Sequence, residues 1–207
     1  VYDAGVCLPM STGGGESVVA SESASAFPQS APAESAAMQP ASYKALMFES
    51  MVRRGGLLVS AGGLGSRDVL VKCIQLHCTP RSLVFILRAS HDAERILRAL
   101  EDAGVSKTRL PRVLNSKTSS TSERENLYLE GGCFIVTARI LVKDMLQKRV
   151  QPQSITGFII NAAHGVSAAS TESFILRLFR EGTPREGAFV MAFTDEARQV
   201  VGGFNKA

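Results

Sequence analysis

The sequence contains no tryptophan and only three tyrosines. A reader of single-stranded bases built on stacked aromatic rings would have little material here, which argues against RRM-type and OB-type recognition. No run of about 18 apolar residues occurs, and no basic stretch followed by an apolar one opens the chain, so neither a membrane span nor a secretory signal is expected. Cysteine is sparse. Cys7, Cys73, Cys78 and Cys133 show neither CxxC spacing nor the density of a secreted disulfide scaffold, a pattern that suits a reducing compartment. Cys73, His77 and Cys78 have ligand-type side chains, but they sit in an apolar helical stretch without a second ligand pair, so core packing is the expected role and no metal site is assigned.

The 207 residues, 45% of them hydrophobic, suffice for one well-buried core and not for two full domains. A net charge of +4 conceals an asymmetry: residues 1–42 hold no Lys or Arg and four acids, Asp3, Glu16, Glu22 and Glu34, so all 23 basic residues fall after them. The remainder is basic enough for a polyanionic partner, although a solvated surface accounts for the same balance. Residues 1–42 are rich in Ser, Ala, Gly and Pro with scattered apolar residues, and read as a disordered low-complexity leader. Beginning with Val1 and stopping at Lys206-Ala207 after an apolar, helix-like stretch, the sequence reads as part of a longer protein.

From Tyr43 to the C-terminus, short β-branched runs alternate with amphipathic stretches, which predicts an α/β domain with a parallel sheet and helices on both faces. A helix is expected from Tyr43 to Arg53, ended by Gly55-Gly56, then a buried strand from Leu57 to Ala61. The glycines Gly62-Gly63-Leu64-Gly65 follow, with Ser66 placed to cap a helix reaching Cys78. Further strands are expected at Leu83–Leu87, Arg112–Leu114, Cys133–Val136, Ile155–Asn161 and Ala188–Ala192. Helices are expected at Asp92–Ala103, 138–148 and Ser170–Glu181, with a helical turn near Glu125–Leu129, a mobile polar loop over 115–122 and a closing helix after Thr194-Asp195. In helix 138–148, Leu141, Val142, Met145 and Leu146 gather on one side while Arg139, Lys143 and Gln147 recur on the other. The broad apolar arc of Ser170–Glu181, including Phe174, Ile175 and Phe179, predicts a helix held between the sheet and another element.

Strand, glycine loop and helix is the arrangement of a phosphate site, because backbone N–H groups at a helix N-terminus attract anions. A working loop reads G-x-x-x-x-G-K-[ST], in which Lys neutralises phosphate charge and the hydroxyl holds magnesium. Here Gly63 and Gly65 remain, but Ser66 stands at the Lys position and Arg67 at the Ser/Thr position. The second half of such a site is an acidic pair in D-E-x-H at the end of a later strand. This chain has Asn161-Ala162-Ala163-His164: Asn161 lacks the charge that holds magnesium, Ala162 cannot orient water, and only His164 is kept. A plain glycine-rich βα turn is the competing reading of the loop alone. His164, without its acidic neighbours, is expected to be a packed, hydrogen-bonded remnant.

Several segments together resemble the N-terminal helicase-like region of the XPF-type structure-specific DNA repair endonucleases. They are Gly56–Gly65, Leu76-His77-Cys78, Val136–Asp144, Ile155-Thr156-Gly157 with Ala163-His164, Phe174–Arg180 and Ala192–Asp195, in that order. The resemblance covers about Tyr43 to the C-terminus. It implies a RecA-like helicase lobe of the P-loop NTPase fold with a decayed ATP site, no catalytic residue and no cofactor in this segment. It also implies a place in nucleotide excision repair and a nuclear location. Single-stranded or junction DNA would be engaged through Arg88, Thr137, Arg139 and Lys143; for Arg139 and Lys143 a solvated basic helix face is the plain alternative. The family's nuclease signature and its helix-hairpin-helix pair, which binds the small excision-repair partner subunit, have no counterpart in this sequence; Glu123-Arg124-Glu125 lacks the Lys and the downstream Asp. The expected role is therefore a non-catalytic lobe that engages DNA and scaffolds repair partners. Two alternatives are an active DNA-dependent NTPase or helicase lobe using Asp68 or Asp195 as its acid, and a pure protein-interaction module.

Overall fold

The computed structural model describes residues 40–115 and 120–199. The chain divides between Ala37 and Met38 into two units, and every described residue belongs to the second. Residues 1–39 of the expected leader lie outside the described residues, whereas 40–42 already belong to the first helix.

The elements are α1 (Pro40–Arg54), β1 (Gly56–Val59), α2 (Ser66–His77), β2 (Leu83–Leu87), α3 (Ala93–Asp102), β3 (Arg112–Leu114), α4 (Thr121–Glu130), β4 (Gly132–Val136), α5 (Ala138–Leu146), β5 (Gly157–Ile160), α6 (Thr171–Glu181) and β6 (Phe189–Thr194). The strands form one sheet in the order β1-β6-β5-β2-β4-β3, parallel at every pairing. The central strands β2 and β5 are buried along their whole length, as a parallel sheet covered on both faces requires.

Side-chain alternation along the strands builds two cores. On one face Val84, Ile86, Ile135 and Ile159 meet residues of α1, α2 and α3, among them Met51, Leu70 and Ile96. On the other, Phe85, Phe134 and Phe158 meet Tyr128 of α4, Leu141 of α5 and Phe179 of α6. The rings interlock there: Phe158 and Phe179 meet edge to face with centroids 5.0 Å apart, Tyr128 and Phe134 at 5.6 Å. Such pairs contribute on the order of 1 kcal/mol each beyond the area they bury.

Five expectations need correction. The run at Leu57–Ala61 is not a buried strand: β1 covers only Gly56–Val59 and ends the sheet beside β6, leaving Leu57 48% and Val59 40% exposed. An apolar run signals burial only where a neighbouring strand stands on each side. Ser66 does not cap α2; it is the helix's first residue, and Gly65 takes the N-cap position at φ 78°, a left-handed conformation that costs glycine nothing. The polar stretch over 115–122 is not all loop, since Ser120 caps α4: its Oγ accepts the Glu123 N–H at 3.3 Å, while its own N–H donates to Glu123 Oε2 at 3.2 Å. This capping box starts the helix at Thr121, ahead of the expected Glu125. Residues 116–119 lie outside the described residues. In α5 the buried face is Leu141, Asp144 and Met145, at i, i+3 and i+4, and Leu146, a further 100° round the helix, is 59% exposed. On α6, which packs against both the sheet and α5, only Ile175 and Phe179 are buried, and Phe174 is turned partly outward at 38% exposure. Of the closing helix, residues 197–199 are described as helical.

Cys73 and Cys78 are core residues, and the His77 ring stacks on Phe189 with centroids 4.3 Å apart. Burial lowers the His77 pKa, which favours the neutral ring. No group of three or more metal-ligating side chains occurs among the described residues. No described helix is long and apolar enough to cross a membrane.

Candidate functional site

In a parallel sheet all strands end along one edge, and ligands of open α/β sheets bind outside those ends. Along this edge stand, in sheet order, the glycine loop after β1, Thr194-Asp195 after β6, Asn161–His164 after β5, Arg88–Asp92 after β2 and Thr137–Arg139 after β4. The degenerate nucleotide residues therefore occupy the β1-β6-β5 half, and the DNA candidates the β2-β4 half.

Ser66, Arg67, Asn161 and Ala162 come together in one cleft, which Asp92 and Asp195 also line. Its volume is about 80 Å³, against roughly 300–1,000 Å³ for pockets that hold small-molecule ligands. Two of its polar residues are tied to each other. Asn161 Nδ2 donates to Asp92 Oδ2 at 3.1 Å, and Asp92 Oδ1 lies 3.7 Å from Arg95. Of the two acids expected to serve an unorthodox site, Asp195 lines the cleft, whereas Asp68 pairs at 2.6 Å with Lys44 of α1. That hydrogen bond, with the carboxylate's charge, holds the Lys44 ammonium above its usual pKa. The Lys44 side chain also covers the glycine loop, lying where a Cβ on Gly65 would have to go.

Gly63, at φ 85°, and Gly65 shape the loop and are not among the residues lining the cleft. His164 shares a 2.9 Å hydrogen bond between its Nδ1 and Thr194 Oγ1, which in turn accepts the Glu196 N–H at 3.1 Å. It sits between β5 and β6 as a brace and does not line the cleft.

Restoring a lysine alone would leave the other half of such a site unchanged. Ser66→Lys is therefore expected to show no magnesium-dependent ATP hydrolysis, because Asn161 and Ala162 still supply neither a metal-holding charge nor a water-orienting group. Phosphate release measured on the unmodified and substituted chains checks this. Turnover in either one would show that Asp92 or Asp195 takes the missing acid's place.

The four DNA candidates separate into two kinds. Thr137 at the N-cap of α5, Arg139 in its first turn and Lys143 in its last turn are exposed, and neither cation has an ion-pair partner among the described residues. Arg88 differs. Its Nε donates to the Ala162 carbonyl at 3.1 Å and its guanidinium lies 3.6 Å from Glu172 of α6, so it ties the ends of β2, β5 and α6 together. Arg88 and Ala162 both hold positive φ, 57° and 48°, which for non-glycine residues is a strained conformation kept by such surrounding contacts.

Sequence reasoning missed what fixes α5 in place. Asp144 is fully buried and receives Arg124 Nε at 2.9 Å and Nη2 at 3.0 Å, a bidentate pair, together with the Tyr128 hydroxyl at 2.9 Å. Arg149 adds a looser contact at 3.5 Å. Burial, then the adjacent Asp144 carboxylate, raises the Tyr128 pKa, so the phenol remains a donor. Arg124, the centre of the Glu-Arg-Glu stretch, is thus a structural residue between α4 and α5. The available signal was a carboxylate three residues after Leu141 and one before Met145, on the core-facing phase of an amphipathic helix.

No family model matches the chain. Among curated proteins it is 33% identical over 166 residues to the DNA repair protein rad16 of Schizosaccharomyces pombe, covering 80% of this chain and 18% of that one. It is 39% identical over 150 residues to the DNA repair endonuclease XPF of Mus musculus, covering 72% of this chain and 16% of that one. The chain thus spans about a sixth of the length of these relatives. Among solved structures, the Pyrococcus furiosus Hef helicase domain matches with a TM-score of 0.61 at 15% identity, over 79% of this chain and 35% of that one. The UvsW helicase of Bacteriophage T4 matches with a TM-score of 0.50 at 10% identity, over 73% of this chain and 52% of that one. At these identities the structures speak to fold alone, and the fold is that of a RecA-like helicase lobe.

Proposed function

Starting from a chain that belongs to the family of the DNA repair endonuclease XPF and the DNA repair protein rad16, matches one segment of them and is folded as a helicase lobe, we propose that this lobe engages DNA without hydrolysing ATP. It holds single-stranded or junction DNA by the backbone and scaffolds other repair proteins within nucleotide excision repair in the nucleus. The small excision-repair partner subunit would be bound by parts of the parent protein outside this sequence, as would the nuclease chemistry.

The observation that carries the reading is the contrast between the two halves of the strand-end edge. The nucleotide half is narrowed to about 80 Å³ and internally cross-linked, with Lys44 spent on Asp68. The other half presents Thr137, Arg139 and Lys143 to solvent on a helix held by a buried ion pair. Unpaired cations on a rigid element are suited to phosphates, which fix position and carry no base information. Arg88 acts here as a brace behind that surface.

The test is an anisotropy titration of labelled single-stranded and forked DNA with the chain, across salt and with or without magnesium and ATP. Binding that weakens steeply with salt, differs little between sequences and ignores nucleotide is the expected result. A folded chain that binds no DNA at low salt would overturn DNA engagement in favour of protein recruitment. Binding that depends on ATP would overturn the non-catalytic reading.

A further inference from the structure

At the opposite end of the sheet from the strand-end edge, Cys78 and Cys133 line one cavity of about 460 Å³ together with Arg109, Arg112 and Glu130. Cys78 is the C-cap residue of α2 and Cys133 the second residue of β4, and both belong to the core on the α2 face. Cys133 Sγ donates at 3.2 Å to the carbonyl of His77, the residue before Cys78, so its sulfur lies against the backbone that carries the other thiol. Arg112 is paired with Glu130 at 2.6 Å, whereas the exposed Arg109 has no ion-pair partner among the described residues. The cavity is thus lined by two neighbouring cysteines and by a cation with no ion-pair partner among the described residues. Neither the DNA surface nor the closed nucleotide cleft uses these groups.

We propose that Cys78 and Cys133 form a dithiol site that reacts with small carboxylate-bearing disulfides of the glutathione class and closes to an intramolecular disulfide. Buried cysteines commonly pack as small apolar residues. Two features set this pair apart from that role. One cavity is lined by both residues, which are 4% and 2% exposed, and the pair is chemically asymmetric. Hydrogen bonding from Cys133 lowers the Cys78 pKa, against the opposing effect of burial and with help from the Arg109 charge. The same hydrogen bond, with burial, holds Cys133 well above the usual thiol range. A thiol has a single proton to donate, so the Cys133 proton turns from the His77 carbonyl to the Cys78 sulfur when Cys78 ionises. Cys73 is the internal comparison, a thiol at 0% exposure that burial alone pushes up to about 12.

The chemistry balances as two exchanges. Cys78 loses its proton to solvent, and its thiolate attacks one sulfur of the small disulfide. That S–S bond breaks, a mixed disulfide forms on Cys78, and the first small thiolate leaves and takes up a proton. Cys133 then gives up its proton and its sulfur attacks the Cys78 sulfur, so the protein disulfide forms and the second small thiol leaves. Two protein thiols are oxidised, and one small disulfide is reduced to two thiols. Arg109 seats a carboxylate of the incoming reagent and favours the thiolate.

The experiment equilibrates the folded full chain against graded mixtures of oxidised and reduced glutathione, blocks free thiols with iodoacetamide and maps the cysteine peptides. The expected product is a Cys78–Cys133 cross-linked peptide, reversed by dithiothreitol, with Cys73 still free. Cys133→Ser should stop at the mixed disulfide on Cys78, and Arg109→Ala should slow that first step by roughly fivefold, the order expected from losing one nearby cation. If Cys133→Ser does not fold, the same order of events is read in the wild type by rapid quenching, with the Cys78 adduct preceding the cross-link. Free Cys78 and Cys133 at the oxidising end of the series, modification of Cys78 no faster than Cys73, or pairing of either with Cys7 would each overturn the proposal.

Discussion

Replacing Asp144 by alanine is expected to destabilise the domain by about 3–5 kcal/mol, because it removes the bidentate carboxylate that the buried Arg124 guanidinium donates to. Both partners are inside, at 8% and 0% side-chain exposure, so solvent screens the pair little. For a domain of this size a loss of that order lowers Tm by roughly 6–20 °C, which thermal unfolding followed by circular dichroism measures. The control on the same helix is Lys143→Ala, an exposed change expected to stay within about 0.5 kcal/mol. Removing both charges in Arg124→Met with Asp144→Leu should recover part of the loss, since the cost of a broken buried pair lies mostly in the charge left behind. The double change also leaves the Tyr128 hydroxyl without its acceptor, so recovery should be incomplete and should improve on adding Tyr128→Phe. A loss under about 1 kcal/mol in Asp144→Ala would mean that water reaches Arg124 and that the ion pair does not hold α5.

What the sequence disclosed and what it hid divide along a physical line. Leu83–Leu87 and Arg112–Leu114 match the expected strand limits, and all neighbouring strands are parallel, because local apolar runs and their alternation with amphipathic helices carry that information. The meeting of Ser66, Arg67, Asn161 and Ala162 in one cleft was likewise legible, since strand ends in a parallel sheet share an edge. Position across the sheet was not. The run Leu57-Leu58-Val59 looks like any buried strand, and only the strand order reveals that it stands at an edge. Pairings between distant residues were hidden for the same reason. Lys44 with Asp68, Asn161 with Asp92 and Arg124 with Asp144 join positions 24, 69 and 20 residues apart, distances over which no helical or strand period operates. Ser120 is a different case, because its S-x-x-E pattern was present in the sequence and the serine-rich surroundings concealed it. Arg88 stands at a strand end as expected, and its contacts with the Ala162 carbonyl and Glu172 were hidden in the same way, since they join positions far apart in the chain.

The same geometry makes the double change Arg139→Ala with Lys143→Ala the sharper test of DNA engagement. Both side chains are exposed and lie one helical turn apart on α5, so together they can follow two phosphates of one strand. Each lost phosphate contact should lower the slope of log K against log salt by about 0.7 for single-stranded DNA, or about 1.4 for the pair. Between about 50 and 200 mM salt, the affinity gap between wild type and variant should then narrow by roughly sevenfold. Sequence preference should stay as it was, because phosphates are common to all sequences. Fold stability should also hold, as neither residue belongs to the buried face of Leu141, Asp144 and Met145. This separates the variant from Asp144→Ala, which would weaken DNA binding only by loosening the helix and would show it first in Tm. Arg88→Ala should behave like Asp144→Ala in kind, with its effect on binding tracking a loss of stability, since its guanidinium holds Ala162 and Glu172. A stable Arg139 and Lys143 double variant with unchanged affinity and unchanged salt slope would make this a solvated face. The work of the lobe would then lie in the proteins it gathers.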